Sequence, residues 1–167
     1  QTVTAPTYFN QSPNFIKYIN GYFVVGFVGH VFISSDGINW GEHKSVGTSY
    51  HVMDISYGQS KYIATVGSGL RQSTDLTTWS YISENFSSHS VGQTYSIHFQ
   101  NGVWVVGSDQ GILRTTNVNS SNSWTRHYSG HIRTIACNGT TWVAGGTHNN
   151  SSYMISSTDP MGTWTTR

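Results

Sequence analysis

The chain repeats one segment of about forty residues four times, and a tryptophan closes every copy. The four tryptophans are Trp40, Trp79, Trp124 and Trp164. Each follows an acidic or amide residue, namely Asp36, Asp75, Asn117 and Asp159. A period of this length is typical of folds that stack one structural unit several times. The chain must therefore build its core between similar units.

Within each copy, a short apolar run follows a turn signal. The runs cover residues 22–25, 62–64, 103–106 and 141–144, and the turn signals lie at 20–21, 58–59, 101–102 and 138–139. Pairs such as Asn-Gly before an apolar run favour a tight β-hairpin. One copy is then predicted to contain four strands, A to D. In the first copy, A covers 15–18, B covers 22–25, C covers 31–34 and D begins at Trp40.

Four-stranded units at this period are typical of the blades of a β-propeller. We therefore predict an all-β, single-domain propeller of four four-stranded blades, over residues 15–52, 53–94, 95–131 and 132–167 together with 1–9. No segment has helical periodicity or capping, so helices should be nearly absent. At 18.5 kDa, the chain has the size of one domain with one core.

The fourth copy has few residues after Trp164, whereas an additional segment precedes the first strand A. We predict that this N-terminal strand, near Val3, completes the last blade, since that pairing removes an exposed sheet edge. Pairing within the chain would close a four-bladed ring. Pairing with a neighbouring chain would give an oligomer or filament. A third alternative is that the chain is a piece of a larger propeller.

The segment Ser35-Asp36-Gly37-Ile38-Asn39-Trp40 resembles the Asp-box of bacterial neuraminidase repeats. Residues 74–79 and 158–164 are similar to it, while the third copy departs from the pattern with Asn117 and a Ser/Asn-rich insertion. Such repeats occur in sialidases, photosystem assembly factors, sorting receptors and phage tail proteins. The resemblance implies a propeller in which the box fastens the C–D turn at the outer edge of the blade. It assigns this structural role to Asp36, Trp40, Asp75, Trp79, Asn117, Trp124, Asp159 and Trp164.

Charged residues make up only 9% of the chain, and the formal net charge is +1. No strong field exists to attract nucleic acid or an anionic membrane, so neither is expected as a partner. Aromatic residues reach 14%, in a background rich in Ser, Thr and Asn. This composition is typical of extracellular and virion adhesins, and we expect that location. No apolar stretch approaches the roughly 20 residues of a membrane span.

A sialidase-like glycosidase is the enzyme that the resemblance suggests, and the residues argue against it. Such enzymes need paired catalytic groups and an arginine cluster that holds the substrate carboxylate. The chain has seven acidic residues, three of them in Asp-box turns. Among its arginines only Arg71 and Arg114 occupy related places. We therefore expect no catalytic residue, and His127 and His131, four apart outside a helix, do not predict a metal site. No cofactor is expected.

Ligand binding is better supported, because the D–A and B–C loops of a propeller gather on one face. The D–A loops carry aromatic and hydrogen-bonding residues, and the candidate ligand-binding residues are Tyr50, His51, His89, Tyr95, Tyr128 and His131, beside Tyr8 and Phe9. Such pairs suit a glycan or a protein surface. In contrast, the aromatic residues of strand B are expected to pack between blades; these are Phe23, Tyr62, Trp104 and Trp142.

The sequence thus predicts a non-catalytic extracellular or virion-associated recognition module whose partner is a glycan or a host surface receptor. One alternative is a structural subunit that assembles through its N-terminal strand into oligomers or filaments. The other is a fragment of a sialidase-like glycosidase.

Overall fold

The computed structural model describes residues 11–82, 91–120, 123–127 and 130–167. These residues form sixteen β-strands and no α-helix. The strands are β1 (Phe15–Ile19), β2 (Tyr22–Gly26), β3 (His30–Ser34), β4 (Lys44–Ser45), β5 (Val52–Gly58), β6 (Lys61–Val66), β7 (Gly69–Ser73), β8 (Ser80–Tyr81), β9 (Thr94–Gln100), β10 (Val103–Ser108), β11 (Gly111–Thr115), β12 (Thr125–His127), β13 (His131–Cys137), β14 (Trp142–His148), β15 (Ser151–Ser157) and β16 (Thr165–Thr166).

The strands form four separate four-stranded antiparallel sheets, each a meander in chain order. We name them blade 1 (β1–β4), blade 2 (β5–β8), blade 3 (β9–β12) and blade 4 (β13–β16). The predicted all-β propeller of four blades is confirmed. One detail was wrong: the fourth strand of blade 1 begins at Lys44 instead of Trp40. The reason is that residues 36–40 form a turn held by the Asp36 side chain, described below.

The backbone angles of the A–B hairpins explain why Asn-Gly pairs predicted these turns. Asn20 and Gly21 have φ values of 48° and 87°, and Asn101 and Gly102 have 52° and 80°. Two consecutive positive φ values are the mark of a type I′ turn, which Asn-Gly adopts at little steric cost. In blade 2 the turn residues with positive φ are Gln59 and Ser60.

The first strands of successive blades contact one another, β1 with β5, β5 with β9 and β9 with β13. This arrangement places them innermost, as expected for a propeller. Three apolar clusters fill the spaces between blades 1 and 2, 2 and 3, and 3 and 4. The strand B aromatic residues Tyr62, Trp104 and Trp142 are buried in these clusters, as predicted. Phe23 of blade 1 is only half-buried.

Polar side chains also join the inner strands. The Asp54 carboxylate of blade 2 accepts a hydrogen bond from the Ile97 N–H of blade 3 at 3.0 Å. Its other oxygen forms an ion pair of 2.6 Å with Lys17 of blade 1. Ser56 Oγ accepts a bond from the Phe99 N–H at 3.0 Å. Asp54 therefore links three blades.

Two arginines on strand C reach from one blade to another. The Arg71 guanidinium donates to the carbonyls of Val46 and Gly47 in blade 1, at 3.2 and 3.1 Å. Arg114 donates to the carbonyls of Pro160 and Gly162 in blade 4, at 2.7 and 2.8 Å. Because they are one register position apart, the two side chains leave opposite faces of their sheets. They do not form an arginine cluster with each other.

The described strands of blade 1 and blade 4 share no extensive contact. Blade 4 has its fourth strand, β16, from the C-terminal residues, paired with β15. The prediction that an N-terminal strand completes this blade concerns residues 1–9, which lie outside the described residues.

Candidate functional site

The C–D turns at the outer edge of the blades use their acidic residues to hold backbone. In blade 1, Asp36 Oδ1 accepts hydrogen bonds from the N–H groups of Ile38 and Asn39, at 2.9 and 2.7 Å. These bonds stabilise the ionised carboxyl and hold the pKa of Asp36 well below its usual range. Asp75 in blade 2 accepts the equivalent bonds from Thr77 and Thr78, and its pKa is lowered for the same reason.

Blades 3 and 4 vary this turn. Asn117 Oδ1 accepts a hydrogen bond from the Asn119 N–H at 3.1 Å, and Asp159 Oδ1 accepts one from the Met161 N–H at 2.9 Å. The tryptophan that follows each turn lies half-buried in blades 1 and 2 and buried in blades 3 and 4. The indole N–H groups of Trp40, Trp79 and Trp164 donate to carbonyls of Gly37, Leu76 and Pro160, respectively. The Asp and Asn side chains of these turns therefore bind the backbone of their own turn.

The inner strands of blades 2, 3 and 4 each contain a β-bulge near the B–C loop side. The unpaired residues are Met53, Tyr95 and Arg133, at equivalent positions of β5, β9 and β13. A bulge rotates the side chain out of the regular alternation and often redirects it toward a site. Here two bulges, in blades 3 and 4, direct Tyr95 and Arg133 toward each other.

Tyr95, Asp109, His131 and Arg133 form a connected cluster, which we call the blade 3–4 cluster. The guanidinium carbon of Arg133 lies 4.1 Å from the centre of the Tyr95 ring. The Tyr95 hydroxyl donates to Asp109 Oδ1 at 2.7 Å, and His131 Nδ1 lies 3.1 Å from the same oxygen. The second oxygen of Asp109 accepts the Gln93 N–H at 2.9 Å. One carboxylate thus fixes residues of two blades.

The cluster is ordered and still open to solvent. Side-chain exposure is 24% for Asp109 and 49% for His131, and Arg133 is exposed. Partial burial raises the pKa of Tyr95, and the hydrogen bond to Asp109 raises it further. The tyrosine is therefore a neutral hydrogen-bond donor to Asp109 at physiological pH. Arg133 forms no hydrogen bond or ion pair with any of the described residues, and its guanidinium is exposed.

The other predicted candidates lie apart from this cluster. Tyr50 is 64% exposed, and its ring covers Gly67 of blade 2. His51 Nδ1 lies 3.0 Å from Asn14 Oδ1 at the junction of blades 1 and 2. Within the described ranges, no hydrogen bond or ring contact joins this pair to Tyr95 or His131. His89 and Tyr128 lie outside the described residues, as do Tyr8 and Phe9.

Sequence reasoning found Tyr95 and His131 but missed Asp109 and Arg133. Asp109 follows strand B of blade 3, in the B–C loop that shares a face with the D–A loops. The sequence-based candidates came from the D–A loops alone. An acidic residue outside the Asp-box turns was the available signal for Asp109. Arg133 gave no signal, since regular alternation along β13 does not predict a bulge.

Across residues 11–82, 91–120, 123–127 and 130–167, no group of three or more His, Cys, Asp or Glu side chains could hold a metal ion. No helix with the length and apolarity of a membrane span occurs in those same ranges.

No protein-family model matches the sequence, and no curated protein matches it either. Solved structures are similar in fold. A chain in the structure of YCF48 bound to a D1 peptide is 18% identical, with a TM-score of 0.65. A chain of the mitotic checkpoint complex is 12% identical, with a TM-score of 0.70. An ancestral GH74 enzyme is 16% identical, with a TM-score of 0.69.

These alignments cover 98%, 96% and 93% of the present chain but only 55%, 53% and 25% of the matched chains. The chain therefore spans about half the length of the first two and a quarter of the third. At these identities the likeness concerns the fold alone. It places the chain among β-propellers.

Proposed function

We propose that the chain is a non-catalytic recognition module that binds a peptide or protein partner through the blade 3–4 cluster. The observation that carries this proposal is the Arg133 guanidinium, stacked on Tyr95 and still exposed. A guanidinium held in this way can donate two parallel hydrogen bonds to a carboxylate. The partner would therefore present an aspartate, a glutamate or a chain terminus to Arg133.

The surroundings of Arg133 favour tight recognition. Tyr95 holds the guanidinium, Asp109 holds Tyr95, and the Gln93 N–H holds Asp109, so the arginine is ordered before the partner arrives. Prior ordering reduces the entropy lost on binding. Arginine and tyrosine are also enriched among the residues that dominate binding energy at protein interfaces.

A glycan is the second candidate partner, and the exposed Tyr50 ring favours it. Sugar rings stack on aromatic faces, and Tyr50 offers one at the junction of blades 1 and 2. Tyr95 is less suitable for this role, because Arg133 covers a face of its ring and Asp109 engages its hydroxyl. We therefore rank a carboxylate-bearing peptide or protein above a glycan.

The roles of the described aspartates support a protein without hydrolytic activity. Asp36, Asp75 and Asp159 accept backbone bonds in turns, Asp54 joins the inner strands, and Asp109 holds the cluster. Arg71 and Arg114 bind carbonyls of neighbouring blades. These structural roles of the aspartates and arginines support a protein that does not use them as the acid, nucleophile and substrate-binding arginines of a glycosidase.

Two of the solved propellers of similar fold were captured with a peptide or in a protein assembly, which supports the same kind of role here. The Asp-box resemblance and the low charge lead us to propose further that the module belongs to the Asp-box repeats and acts outside the cell or on a virion.

The test is binding of the full chain to peptide and glycan arrays. The peptide array pairs acidic sequences with the same sequences carrying Asn and Gln in place of Asp and Glu. We expect retention of acidic peptides, and Arg133→Ala should weaken that binding about tenfold or more. Arg126→Ala, which removes an exposed arginine from the outer strand β12, is the matched control and should leave binding unchanged.

Each result bears on one candidate. Binding of neutral glycans that is lost in Tyr50→Ser and kept in Arg133→Ala would replace the peptide proposal with the glycan one. Acidic peptides that bind equally well to Arg133→Ala would contradict the assigned site. Turnover of a sialoside substrate by the full chain would contradict a non-catalytic role.

A further inference from the structure

One isoleucine recurs at the same register position in the inner strand of every blade. Ile16, Ile55, Ile97 and Ile135 pair with strand B at equivalent places. Their exposures are 64%, 0%, 0% and 8%. In blades 2, 3 and 4 this side chain packs in the cluster shared with the preceding blade. In blade 1 it faces solvent.

An aromatic pair beside this isoleucine is likewise packed against the preceding blade in blades 2 and 3 and more exposed in blade 1. Tyr57 and Tyr62 in blade 2, with ring centres 4.7 Å apart, belong to the cluster shared with blade 1. Phe99 and Trp104, 4.6 Å apart, play this part between blades 2 and 3. The equivalent residues in blade 1 are Tyr18 and Phe23, 4.8 Å apart. Tyr18 is 65% exposed.

Blade 1 thus carries the surface that packs against a preceding blade everywhere else in the chain. We call Ile16, Tyr18 and Phe23, with their surroundings, the leading face. A cavity of about 550 Å³ lies on the same blade and is lined by His30 and Phe32 of β3. The counterpart of Phe32 in blade 2 is Arg71, whose side chain contacts blade 1. The cavity therefore also lies where a preceding blade would fit.

Blade 4 exposes the opposite surface, which we call the trailing face. In blade 2 this surface presents Asp54 and Ser56 to the inner-strand N–H groups of blade 3. The equivalent residues of blade 4 are Thr134 and Ala136, and both are exposed. Met154, which is 49% exposed, lies on β15 at the level of Thr134, with Gly145 of β14 between them, and therefore on the same surface. The Thr134 hydroxyl can accept a hydrogen bond from a backbone N–H of the facing blade, as the Asp54 carboxylate does from Ile97.

We propose that the leading face of one chain packs against the trailing face of a second copy, so that two chains close one ring of eight blades. A blade of the same repeat is the partner whose shape matches the leading face, because the chain itself makes this contact three times. Two-fold symmetry forms the junction twice and leaves neither face exposed.

The junction joins apolar residues to small ones and needs no terminal strand. Ile16 and Tyr18 would lie against Thr134, Ala136 and Met154 of the second copy. A Met sulfur beside an aromatic ring is a favourable contact, and large apolar side chains on small ones repeat the packing seen between blades 2 and 3. This assembly differs from pairing through residues 1–9, and a deletion separates the two.

The experiment measures the mass of the full chain by sedimentation and light scattering at micromolar concentration. We expect twice the chain mass of 18.5 kDa. Ile16→Asp places a charge in both junctions, so the dissociation constant should rise roughly a hundredfold or more. Ala136→Arg tests the trailing face independently and should act alike. Ile38→Asp alters an isoleucine that is 44% exposed on the C–D turn of blade 1 and should leave the mass unchanged.

Near-ultraviolet circular dichroism tests whether the variants are folded. Because Ile16 is exposed, the Ile16→Asp variant should have the same spectrum as the unmodified chain. Mixing the two single variants restores one unaltered junction per pair, and association should partly return. A monomeric full chain, an open polymer, or a dimer that persists in Ile16→Asp would overturn the proposal. So would a dimer that is lost on deletion of residues 1–7 and kept in both face variants.

Discussion

One residue type, aspartate, performs three different tasks in this chain, and its position decides which one. Asp36 lies in an exposed turn and accepts backbone N–H bonds. Asp54 lies between inner strands, where it accepts a hydrogen bond from the Ile97 N–H and forms an ion pair with Lys17. Asp109 lies at the end of strand B and orders a tyrosine and a histidine. Their chemistry is the same, and their neighbours differ.

Acidification should test the turn aspartates. The pKa values of Asp36 and Asp75 are lower in the folded chain than the ordinary value of 3.8. As the pH falls, the unfolded chain binds protons first, so the stabilisation is complete above about pH 4 and is lost as the pH falls toward the folded pKa. We expect Asp36→Asn with Asp75→Asn to lower stability at pH 7 and to flatten its loss below pH 4, measured by urea unfolding.

Asn117 provides the opposite variant, because it occupies the equivalent turn without a charge. Asn117→Asp should make the loss of stability below pH 4 steeper than in the unmodified chain. Equal slopes for all three proteins would show that these turns do not stabilise the charged carboxyl.

At the scale of elements, the bulges of the inner strands connect the fold to the candidate site. The bulge in β13 brings the carbonyl of His131 close to the backbone of Gly146 in β14. A Cβ atom at Gly146 would overlap that carbonyl oxygen. A glycine is therefore required for the path of β13, which in turn sets the positions of His131 and Arg133.

Gly146→Ala should displace this part of β13. We expect a loss of about 1–3 kcal/mol in the free energy of unfolding, the usual cost of overpacking a fitted site. Binding of acidic peptides should also weaken, because Arg133 and His131 move together. The neighbouring Gly145→Ala is the matched control, since its added Cβ would meet only the Thr134 methyl group at 3.3 Å. It should change stability by less than about 1 kcal/mol. If Gly146→Ala and Gly145→Ala changed stability and peptide binding equally, Gly146 would not be what sets the positions of His131 and Arg133.

Strands and turns were predictable from the sequence, because alternation and Asn-Gly pairs act locally. The strand bounds of β1, β2 and β3 differ from the prediction by one residue at most. The start of β4 was missed, since the Asp36 turn delays it. Half of the site was predictable: Tyr95 and His131 were proposed as residues of the D–A loops, although the structure places them at the start of the inner strands β9 and β13. Their contact with Asp109 and Arg133 depends on a bulge and on packing between blades, which local patterns do not encode.

At the scale of the whole molecule, blades 1 and 4 are the two ends of the series of contacts between the described strands, and in the proposed ring their outward faces form an ordinary blade junction. The interior junctions bury Ile55, Ile97 and Ile135, while Ile16 on the leading face of blade 1 is exposed. Apolar surface of this kind favours association. The state of assembly should therefore determine the stability of the chain.

Thermal unfolding should reveal this dependence. If two chains unfold from a closed ring, the Tm of the unmodified chain should rise by about 3–5 °C over a hundredfold increase in concentration. Ile16→Asp should melt at one temperature throughout that range, because a monomer has no mass-action term. Differential scanning calorimetry at several concentrations provides the measurement. A Tm that is constant for both proteins would contradict the dependence.

The Asp54 carboxylate has a consequence for how the chain opens. Repeat proteins tend to lose their terminal units one at a time, since each unit contacts only its neighbours. Because Asp54 binds both Lys17 and the Ile97 N–H, detaching blade 1 or blade 3 leaves that charge incompletely satisfied. Ser96, at the equivalent place between blades 3 and 4, forms no hydrogen bond within the described residues. In the monomeric Ile16→Asp variant, where blades 1 and 4 are terminal, blades 1 to 3 should exchange their amide hydrogens as one cooperative block, with blade 4 opening first.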